Sequence, residues 1–189
     1  MSPQIFASWL TIFLGAALAY RTLSLHRQGI PVIQFGKLDK TDFLIPPFGL
    51  FFFYHIFANG FHLPSLAGQP MVNNLFTQWL GVGVAVVGLA FAAWGIVSFK
   101  HSLRIGIDVE TPGEFITNGA FQISRNPLYV GFLFFLLGQF LIFPSLFFLL
   151  FLLGGTWLMD RQIKREEDFM TRHYGEAFAH YAQKVRRYL

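Results

Sequence analysis

Residues 127–159 read PLYVGFLFFLLGQFLIFPSLFFLLFLLGGTWLM and contain no charged side chain. About 20 apolar residues cross the hydrocarbon core of a bilayer, so this stretch is too long for one ordinary span and short for two full ones. Pro144-Ser145 lies at its middle, where a proline would break a helix. We therefore predict a tight helical hairpin, with its two helices at Leu128–Phe143 and Ser145–Met159.

The charged residues are concentrated outside the apolar stretches. All 14 Lys and Arg and all 10 Asp and Glu fall within residues 21–42, 100–125 and 160–187. A soluble domain places charges along every element, whereas a chain dissolved in a bilayer keeps them out of its spans. We predict an all-α integral membrane protein with a single membrane domain over residues 1–189. The basic residues contain no interleaved nucleic-acid motif, so we predict no nucleic-acid partner.

Three further apolar stretches precede the hairpin, at Ile5–Tyr20, Phe43–Phe61 and Leu75–Phe99. Five spans then place the loops 21–42 and 100–126 and the tail 160–189 on one side of the membrane. That side carries every Lys and Arg, so by the positive-inside rule it is the cytoplasm. We predict five transmembrane helices, an outside N-terminus and a cytoplasmic C-terminal helix, in a bacterial inner membrane or an ER-like one.

Two features stand out inside the predicted spans. Gly81, Gly88 and Gly95 recur every seven residues along the third span, and small residues on one face let helices approach closely in lipid. This face is suited to an internal contact or to a dimer. His55 and Asn59 lie in the second span, where polar groups either serve function or form interhelical hydrogen bonds, and the sequence leaves both open.

The segment before the hairpin has the features of a helix start at a membrane surface. Gly119 permits a turn with positive φ, and Pro127 suits the first turn of a helix with Asn126 as its cap. A helix N-terminus in this position can bind a carboxylate or a phosphate. Arg125-Asn126-Pro127 taken alone is equally typical of an ordinary capped helix.

The segment after the hairpin continues the last span into water. Arg161 and Arg165 are four residues apart and share a face, with Glu166 somewhat off that face. The spacing alone is also typical of a solvated amphipathic helix. The aromatic and basic residues of 174–188 indicate a further helix at the membrane interface.

Together these segments resemble the isoprenylcysteine carboxyl methyltransferase family and, more broadly, the related membrane methyltransferases that include phospholipid N-methyltransferases. The resemblance extends over about residues 100–189, while residues 1–99 match only as spans. The matching residues, in chain order, are Gly119…Phe121, Arg125-Asn126-Pro127-Leu128-Tyr129, the 128–159 hairpin, Arg161…Glu166-Glu167, Tyr174-Gly175-Glu176-Ala177-Phe178 and Tyr181…Arg186-Arg187. Asn126 departs from the eukaryotic carboxyl methyltransferases, which carry His there, and Asn does not titrate near neutral pH.

The resemblance implies S-adenosylmethionine as cofactor, bound without a Rossmann domain at the cytoplasmic ends of the last spans. Residues 1–99 would form the first three spans and residues 100–189 the cofactor-binding and catalytic part. The implied cofactor pocket is lined by Phe115, Ile116, Gly119, Asn126, Pro127, Tyr129, Gly131 and Glu166. The implied catalytic residues are Arg161, Arg165 and Glu166, with one arginine facing the acceptor. No metal is implied.

The leading hypothesis is a membrane methyltransferase acting on a lipophilic small molecule or lipid. The carboxylate of a prenylated cysteine, a phospholipid amine and a hydrophobic thiol are the candidate acceptors. One rival is an NADPH-dependent membrane reductase related to sterol reductases, which the length of 189 residues disfavours. Another is a non-catalytic membrane protein, which the scarcity of polar residues in the spans disfavours. The acceptor and the oligomeric state stay open.

Overall fold

The computed structural model describes residues 1–28, 45–99 and 115–189. These residues form six α-helices and one short 3-10 helix, Gly119–Gln122, and no strand occurs among them. The α-helices are α1 Pro3–Arg27, α2 Ile45–Phe61, α3 Leu75–Phe99, α4 Pro127–Ile142, α5 Leu146–Tyr174 and α6 Glu176–Lys184. The prediction of an all-helical fold is therefore confirmed over this part of the chain.

The hairpin breaks where the sequence places the break. α4 ends at Ile142 and α5 begins at Leu146, with Ser145 as N-cap and its hydroxyl accepting from the Phe148 N–H at 3.5 Å. α5 then runs without interruption to Tyr174, far beyond the predicted end of its span at Met159. The apolar part, residues 146–159, is thus rigidly joined to the charged part, residues 160–174.

The predicted first span, Ile5–Tyr20, lies within a longer helix. α1 extends from Pro3 to Arg27, because Arg21 and the residues around it lower hydropathy without breaking a helix. α1, α3 and α5 are long and apolar enough to cross a membrane, whereas α2 and α4 have 17 and 16 residues. The count of five spans stays a prediction, and residues 43–44 of the second predicted span lie outside the described ranges.

Contacts at the two ends of the bundle define the helix directions. At one end Leu25 of α1 is fully buried against Ile96 and Phe99 of α3 and Leu128 of α4. At the other end the Met71 N–H, in the loop before α3, donates to the carbonyl of Pro144 at 2.7 Å. The end of α1, the end of α3 and the start of α4 therefore share one end of the molecule.

α3 and α4 are in direct backbone contact through facing glycines. A Cβ built on Gly88 would lie 2.6 Å from the Gly131 carbonyl, and one built on Gly131 would lie 2.6 Å from the Gly88 carbonyl. Gly81 and Gly138 form a second pair of the same kind, at 2.7 Å in both directions. The glycine face of α3 thus serves an internal contact, as small residues do in lipid.

An aromatic cluster packs α2 against α5. Phe52 stacks on Phe151 with ring centroids 5.1 Å apart. His55 stacks on Phe147 at 4.2 Å, and its Nδ1 lies 2.8 Å from the carbonyl of Phe51 one turn earlier. That contact stays within α2, so His55 forms aromatic packing here.

Candidate functional site

The site lies where α4 begins and α5 leaves its apolar stretch. Pro127 occupies the first turn of α4, and Asn126 is at the N-cap position. The sequence predicts that the Asn126 side chain caps the helix, but no such hydrogen bond is formed. The side chain is buried, and its amide Nδ2 donates to Glu167 Oε1 at 3.2 Å and to the Arg187 carbonyl at 3.1 Å. The backbone N–H of Asn126 donates to the Ser124 hydroxyl. The side-chain amide of Asn126 thereby joins α4 to α5 and to the C-terminal tail, residues 182–188.

Glu167 is the centre of a buried ionic cluster. The Arg125 Nε donates to its Oε1 at 3.0 Å, and the Arg187 Nη2 donates to its Oε2 at 2.7 Å. Glu167 is only 9% exposed and the Arg125 side chain 13%, while that of Arg187 is 37% exposed. The Arg125–Glu167 pair is therefore the desolvated one, and removing a single partner of such a pair leaves an uncompensated buried charge.

The surroundings of Glu167 keep it ionised. Burial alone would raise the pKa of its carboxyl, but the hydrogen bonds from Arg187 and Arg125 outweigh burial and hold that pKa below its ordinary range. Glu167 lies in the charged part of α5, outside the apolar stretch. Its carboxylate is thus a permanent anion at neutral pH.

Glu166, the preceding residue, bridges to α4 one turn further along. The Tyr129 hydroxyl donates to Glu166 Oε1 at 2.6 Å, and the Gln162 amide donates to the same oxygen at 3.2 Å. A hydroxyl–carboxylate bond this short is of the strong, charge-assisted type. Two of the predicted site residues are thereby brought into direct contact.

The C-terminal tail is bound across the start of α4. The Arg125 N–H donates to the Arg186 carbonyl at 2.9 Å, and the Arg125 Nη1 donates to the carbonyls of Ala182 and Val185. The Tyr188 hydroxyl donates to Asp160 Oδ1 at 2.6 Å. The tail therefore covers the Arg125-Asn126 segment and joins it to α5.

Phe115 lies in an aromatic group made with the end of α5 and with α6. Its ring stacks on Tyr174 with centroids 5.0 Å apart and meets the edge of Tyr181 at 5.5 Å. Burial raises the pKa of Tyr181 to about 12, so its hydroxyl stays protonated and donates to the Phe121 carbonyl at 2.6 Å. The chain segment that leads into α4 is fixed to α6 in this way.

Gly119 has the positive φ expected from its sequence position, +63°. A Cβ at this position would collide with the Ser98 hydroxyl at the end of α3. That hydroxyl accepts from the Ala120 N–H at 3.1 Å. Glycine is therefore required both by the backbone conformation and by the close approach to α3.

An open cleft of about 450 Å³ lies between the segment that precedes α4 and the α6 region. Its walls combine cationic, hydroxyl, amide and apolar groups: Thr117, Gln122, His180, Tyr181, Lys184 and Val185. No group of three or more His, Asp and Glu side chains in the described ranges is arranged to hold a metal ion.

The predicted site residues fall into three groups. Tyr129, Glu166 and, through Glu167, Asn126 meet at the junction of α4 and α5. Phe115, Ile116 and Gly119 lie on the segment that precedes α4. Pro127 and Gly131 face α3, Pro127 near Gly95 and Gly131 against Ala92 and Gly88, so both are helix-packing residues. Arg161 and Arg165 are partly buried residues of α5 in its charged part.

The ionic cluster is the feature that sequence reasoning missed. The family pattern places Glu167 beside Glu166, and the sequence around Arg125 indicates a helix start. Neither pattern indicated that Arg187, 20 residues beyond Glu167, completes the cluster. The available signal was the combination of an acidic pair on α5 with Arg125 before α4 and with the Arg186-Arg187 pair after α6.

Comparison with known proteins identifies a family and two relatives. A family model described as phospholipid methyltransferase matches residues 76–177. Two relatives from Oryza sativa, subspecies indica and japonica, are each described as a probable protein-S-isoprenylcysteine O-methyltransferase and are 30% identical over 115 residues. The alignment covers 58% of this chain and 59% of each relative, so the chain spans about three fifths of their length. No solved structure matches the chain.

The family match covers nearly all of α3, all of α4 and α5 and the start of α6. It includes the α3–α4 glycine contact, the Tyr129–Glu166 bond and the buried Glu167. It extends over more than half of the 189 residues. The chain belongs to the phospholipid methyltransferase family of membrane proteins.

Proposed function

We propose that this chain is an S-adenosylmethionine-dependent membrane methyltransferase that acts on a lipophilic acceptor. The observation that supports it most is the Tyr129–Glu166 pair at the junction of α4 and α5, inside the region that matches the methyltransferase family. The pair places a carboxylate and a phenol where an apolar helix meets its charged extension. A polar cofactor and an apolar acceptor both have access to such a boundary.

The residues near this junction fit the chemistry of the cofactor. Phe115 offers an aromatic face suited to a nucleobase, and the Glu166 carboxylate suits a sulfonium, an ammonium or a ribose hydroxyl. The sulfonium donor supplies an activated methyl group. The protein then has to bind donor and acceptor in line and exclude water. Ile116 and Gly119 would shape the pocket from the segment that precedes α4.

The acceptor we favour carries an anionic group. Arg161 and Arg165 lie in the charged part of α5 on consecutive turns, and Arg165 immediately precedes Glu166. Guanidinium groups bind carboxylates and phosphates with two parallel hydrogen bonds. A carboxylate acceptor needs no proton removed before methylation, whereas an amine or thiol acceptor needs a base, and Glu166 is the candidate for it. The rice relatives are named for a carboxylate acceptor and the family model for phospholipids.

The geometry suggests two routes into the site. Donor and product would exchange with water at the end of the bundle where α4 begins, because the charged part of α5 and the tail lie there. The acceptor would enter from lipid between the apolar parts of the helices. We place this end in the cytoplasm, with five spans and an outside N-terminus, on the distribution of Lys and Arg.

A methyl-transfer assay tests the proposal. Purified protein in nanodiscs would be given donor labelled in its methyl group and one of three acceptors: a prenylated cysteine with a free carboxylate, phosphatidylethanolamine, or an alkyl thiol. We expect label in a lipid-soluble product, with the carboxylate as the preferred acceptor. Product from phosphatidylethanolamine alone would contradict the preference for a carboxylate acceptor, and no product from any lipophilic acceptor would contradict the proposed function.

A further inference from the structure

Two hydrogen-bonded contacts join α4 to the charged part of α5. The Tyr129 hydroxyl donates to Glu166 at 2.6 Å, and the Asn126 amide, three residues earlier on α4, donates to Glu167 at 3.2 Å. The two acceptors are adjacent residues of one helix. A rotation or slide of α5 that breaks the contact to Asn126 therefore also displaces the contact to Tyr129.

The hydrogen-bonding capacity of the Glu167 carboxylate is fully satisfied within the protein. Arg125 donates to it from Nε and Nη2, Arg187 from Nε and Nη2, and Asn126 from Nδ2. Two carboxylate oxygens offer about four lone-pair sites, and five donors surround them here. Since Glu167 is also only 9% exposed, it acts through its neighbours and has no room for a substrate.

The same cluster holds the C-terminal tail, residues 182–188, which we call the latch. Arg125 donates to three backbone carbonyls of the latch, those of Ala182, Val185 and Arg186. Asn126 donates to a fourth, that of Arg187, whose own side chain returns to Glu167. The carboxylate is the counter-charge that allows Arg125 and Arg187 to lie side by side.

We propose that Glu167 is a positioning residue: by binding Arg125, Asn126 and Arg187 it closes the latch and sets the helix register in which Glu166 meets Tyr129. The proposal rests on the proposed function for its effect on methyl transfer. It gives Asn126 a positioning role as well, through Glu167.

Closure of the latch can be measured without any cofactor, from the accessibility of a residue that it buries. Ser124 is 0% exposed beneath the latch, and its hydroxyl lies 3.4 Å from the Arg187 carbonyl. The chain has no cysteine, so the thiol of a Ser124→Cys variant is a single reporter. Its reaction rate with a maleimide would be compared with and without Glu167→Gln. Asp168→Asn, which removes the next acidic residue on an exposed position, is the matched control.

The expected result is a rise in the thiol reaction rate of about 100-fold for Glu167→Gln and no change for Asp168→Asn, because a buried pair that loses one partner opens locally. S-adenosylmethionine binding and turnover, measured on the same proteins, should fall together by at least about tenfold in Glu167→Gln and stay unchanged in Asp168→Asn. Glu166→Gln should lower binding and turnover with the thiol still protected. Arg187→Lys, which keeps the charge, should restore most of the protection that Arg187→Gln removes.

Three results would overturn the proposal. A protected thiol in Glu167→Gln would show that the latch does not depend on this carboxylate. A reactive thiol with unchanged cofactor affinity and turnover would show that the latch has no positioning role. A Ser124→Cys protein with no other change that protects its thiol but binds no S-adenosylmethionine would contradict the proposed function itself, and so the effect on methyl transfer, while leaving the latch measurement intact. Helical circular dichroism on every variant separates these outcomes from misfolding.

Discussion

Glu166 and Glu167 are neighbours with different partners. Consecutive residues of an α-helix point about 100° apart, so the two carboxylates leave α5 in different directions. Glu167 points to two arginines and is enclosed by them, whereas Glu166 accepts from a tyrosine and a glutamine. We therefore propose a structural role for Glu167 and a role at the reacting groups for Glu166.

Glu166→Gln should weaken S-adenosylmethionine binding by about 10- to 100-fold. A hydrogen bond to a charged group contributes about 1.5–3 kcal/mol, and the amide keeps the size of the side chain while removing the charge. Tyr129→Phe should have a smaller effect in the same direction, because it removes the donor and leaves the carboxylate. Isothermal titration in detergent checks both. Equal affinities for wild type and Glu166→Gln would rule out the placement of the pocket.

The latch should loosen in acid. The folded-state pKa of Glu167 lies below its ordinary value of 4.5, so its contribution to stability is complete above about pH 4.5 and is lost as pH falls through the lower, folded-state pKa. Hydrogen exchange at the Arg125 amide, which donates to the Arg186 carbonyl, should therefore show protection falling below pH 4.5. Glu167→Gln should remove that pH dependence, and an unchanged profile in the variant would contradict the assignment.

The residue-level prediction from sequence was partial for a physical reason. The resemblance indicated Tyr129 and Glu166, and the structure brings these two side chains together. The role of Glu167 was not predictable, because Arg125 lies 42 residues before it and Arg187 lies 20 residues after it. Only the packing of α4 on α5 and the return of the tail bring those residues together.

At the scale of elements, the α3–α4 contact determines where the site lies. The paired glycines bring two backbones into contact, which places the start of α4 beside the end of α3. Tyr129 in the first turn of α4 and Asn126 at its N-cap then meet the charged part of α5. In lipid, where burial of apolar surface gives no net driving force between helices, such close packing is a main source of stability.

Gly88→Leu should destabilise the protein, whereas Gly83→Leu in the same helix should be tolerated. A Cβ at Gly88 would lie 2.6–2.9 Å from atoms of α4, while a Cβ at Gly83 meets nothing within 4 Å. Overpacking of this kind costs about 1–3 kcal/mol or more. Thermal unfolding in detergent should show a lower Tm for Gly88→Leu only. An equal Tm for the two variants would contradict the close contact.

The helix boundaries show what hydropathy can and cannot predict. The break at Pro144 was predictable because proline has no backbone N–H to donate and its ring clashes with the preceding turn of a helix. The end of α1 at Arg27 was not, since charged side chains mark the end of an apolar stretch and leave the helix intact. The continuation of α5 past Met159 was predicted from its charged residues, but hydropathy did not indicate its end at Tyr174. Gly175 follows the end of α5, and its φ of +51° allows the turn into α6.

At the scale of the whole molecule, the bundle has two chemically different ends. One end carries the ionic cluster, the latch and the cleft, and the other carries the loop of residues 62–74 and the turn at Pro144, joined by the Met71–Pro144 bond. Every Lys and Arg in the chain falls in segments assigned to the first end. Electrostatics therefore predicts that this end faces the cytoplasm.

Single cysteines test that orientation cleanly, because the chain has none of its own. Gln69 and Gln183 are exposed residues of the loop before α3 and of α6. In inverted and right-side-out vesicles, a membrane-impermeant maleimide should label Gln69→Cys only from outside and Gln183→Cys only from the cytoplasmic side. Labelling of both from the same side would contradict an odd number of spans between them.

The decisive measurement is equilibrium binding of S-adenosylmethionine to the wild-type protein in nanodiscs, with a reduced nicotinamide cofactor as control. A methyltransferase built around Tyr129 and Glu166 should bind the sulfonium saturably and leave the nicotinamide unbound. Asp168→Asn should bind like wild type, and Glu166→Gln should bind more weakly. Binding of the nicotinamide, or no binding of the sulfonium, would contradict the proposed function and leave the family match as evidence of a shared fold alone.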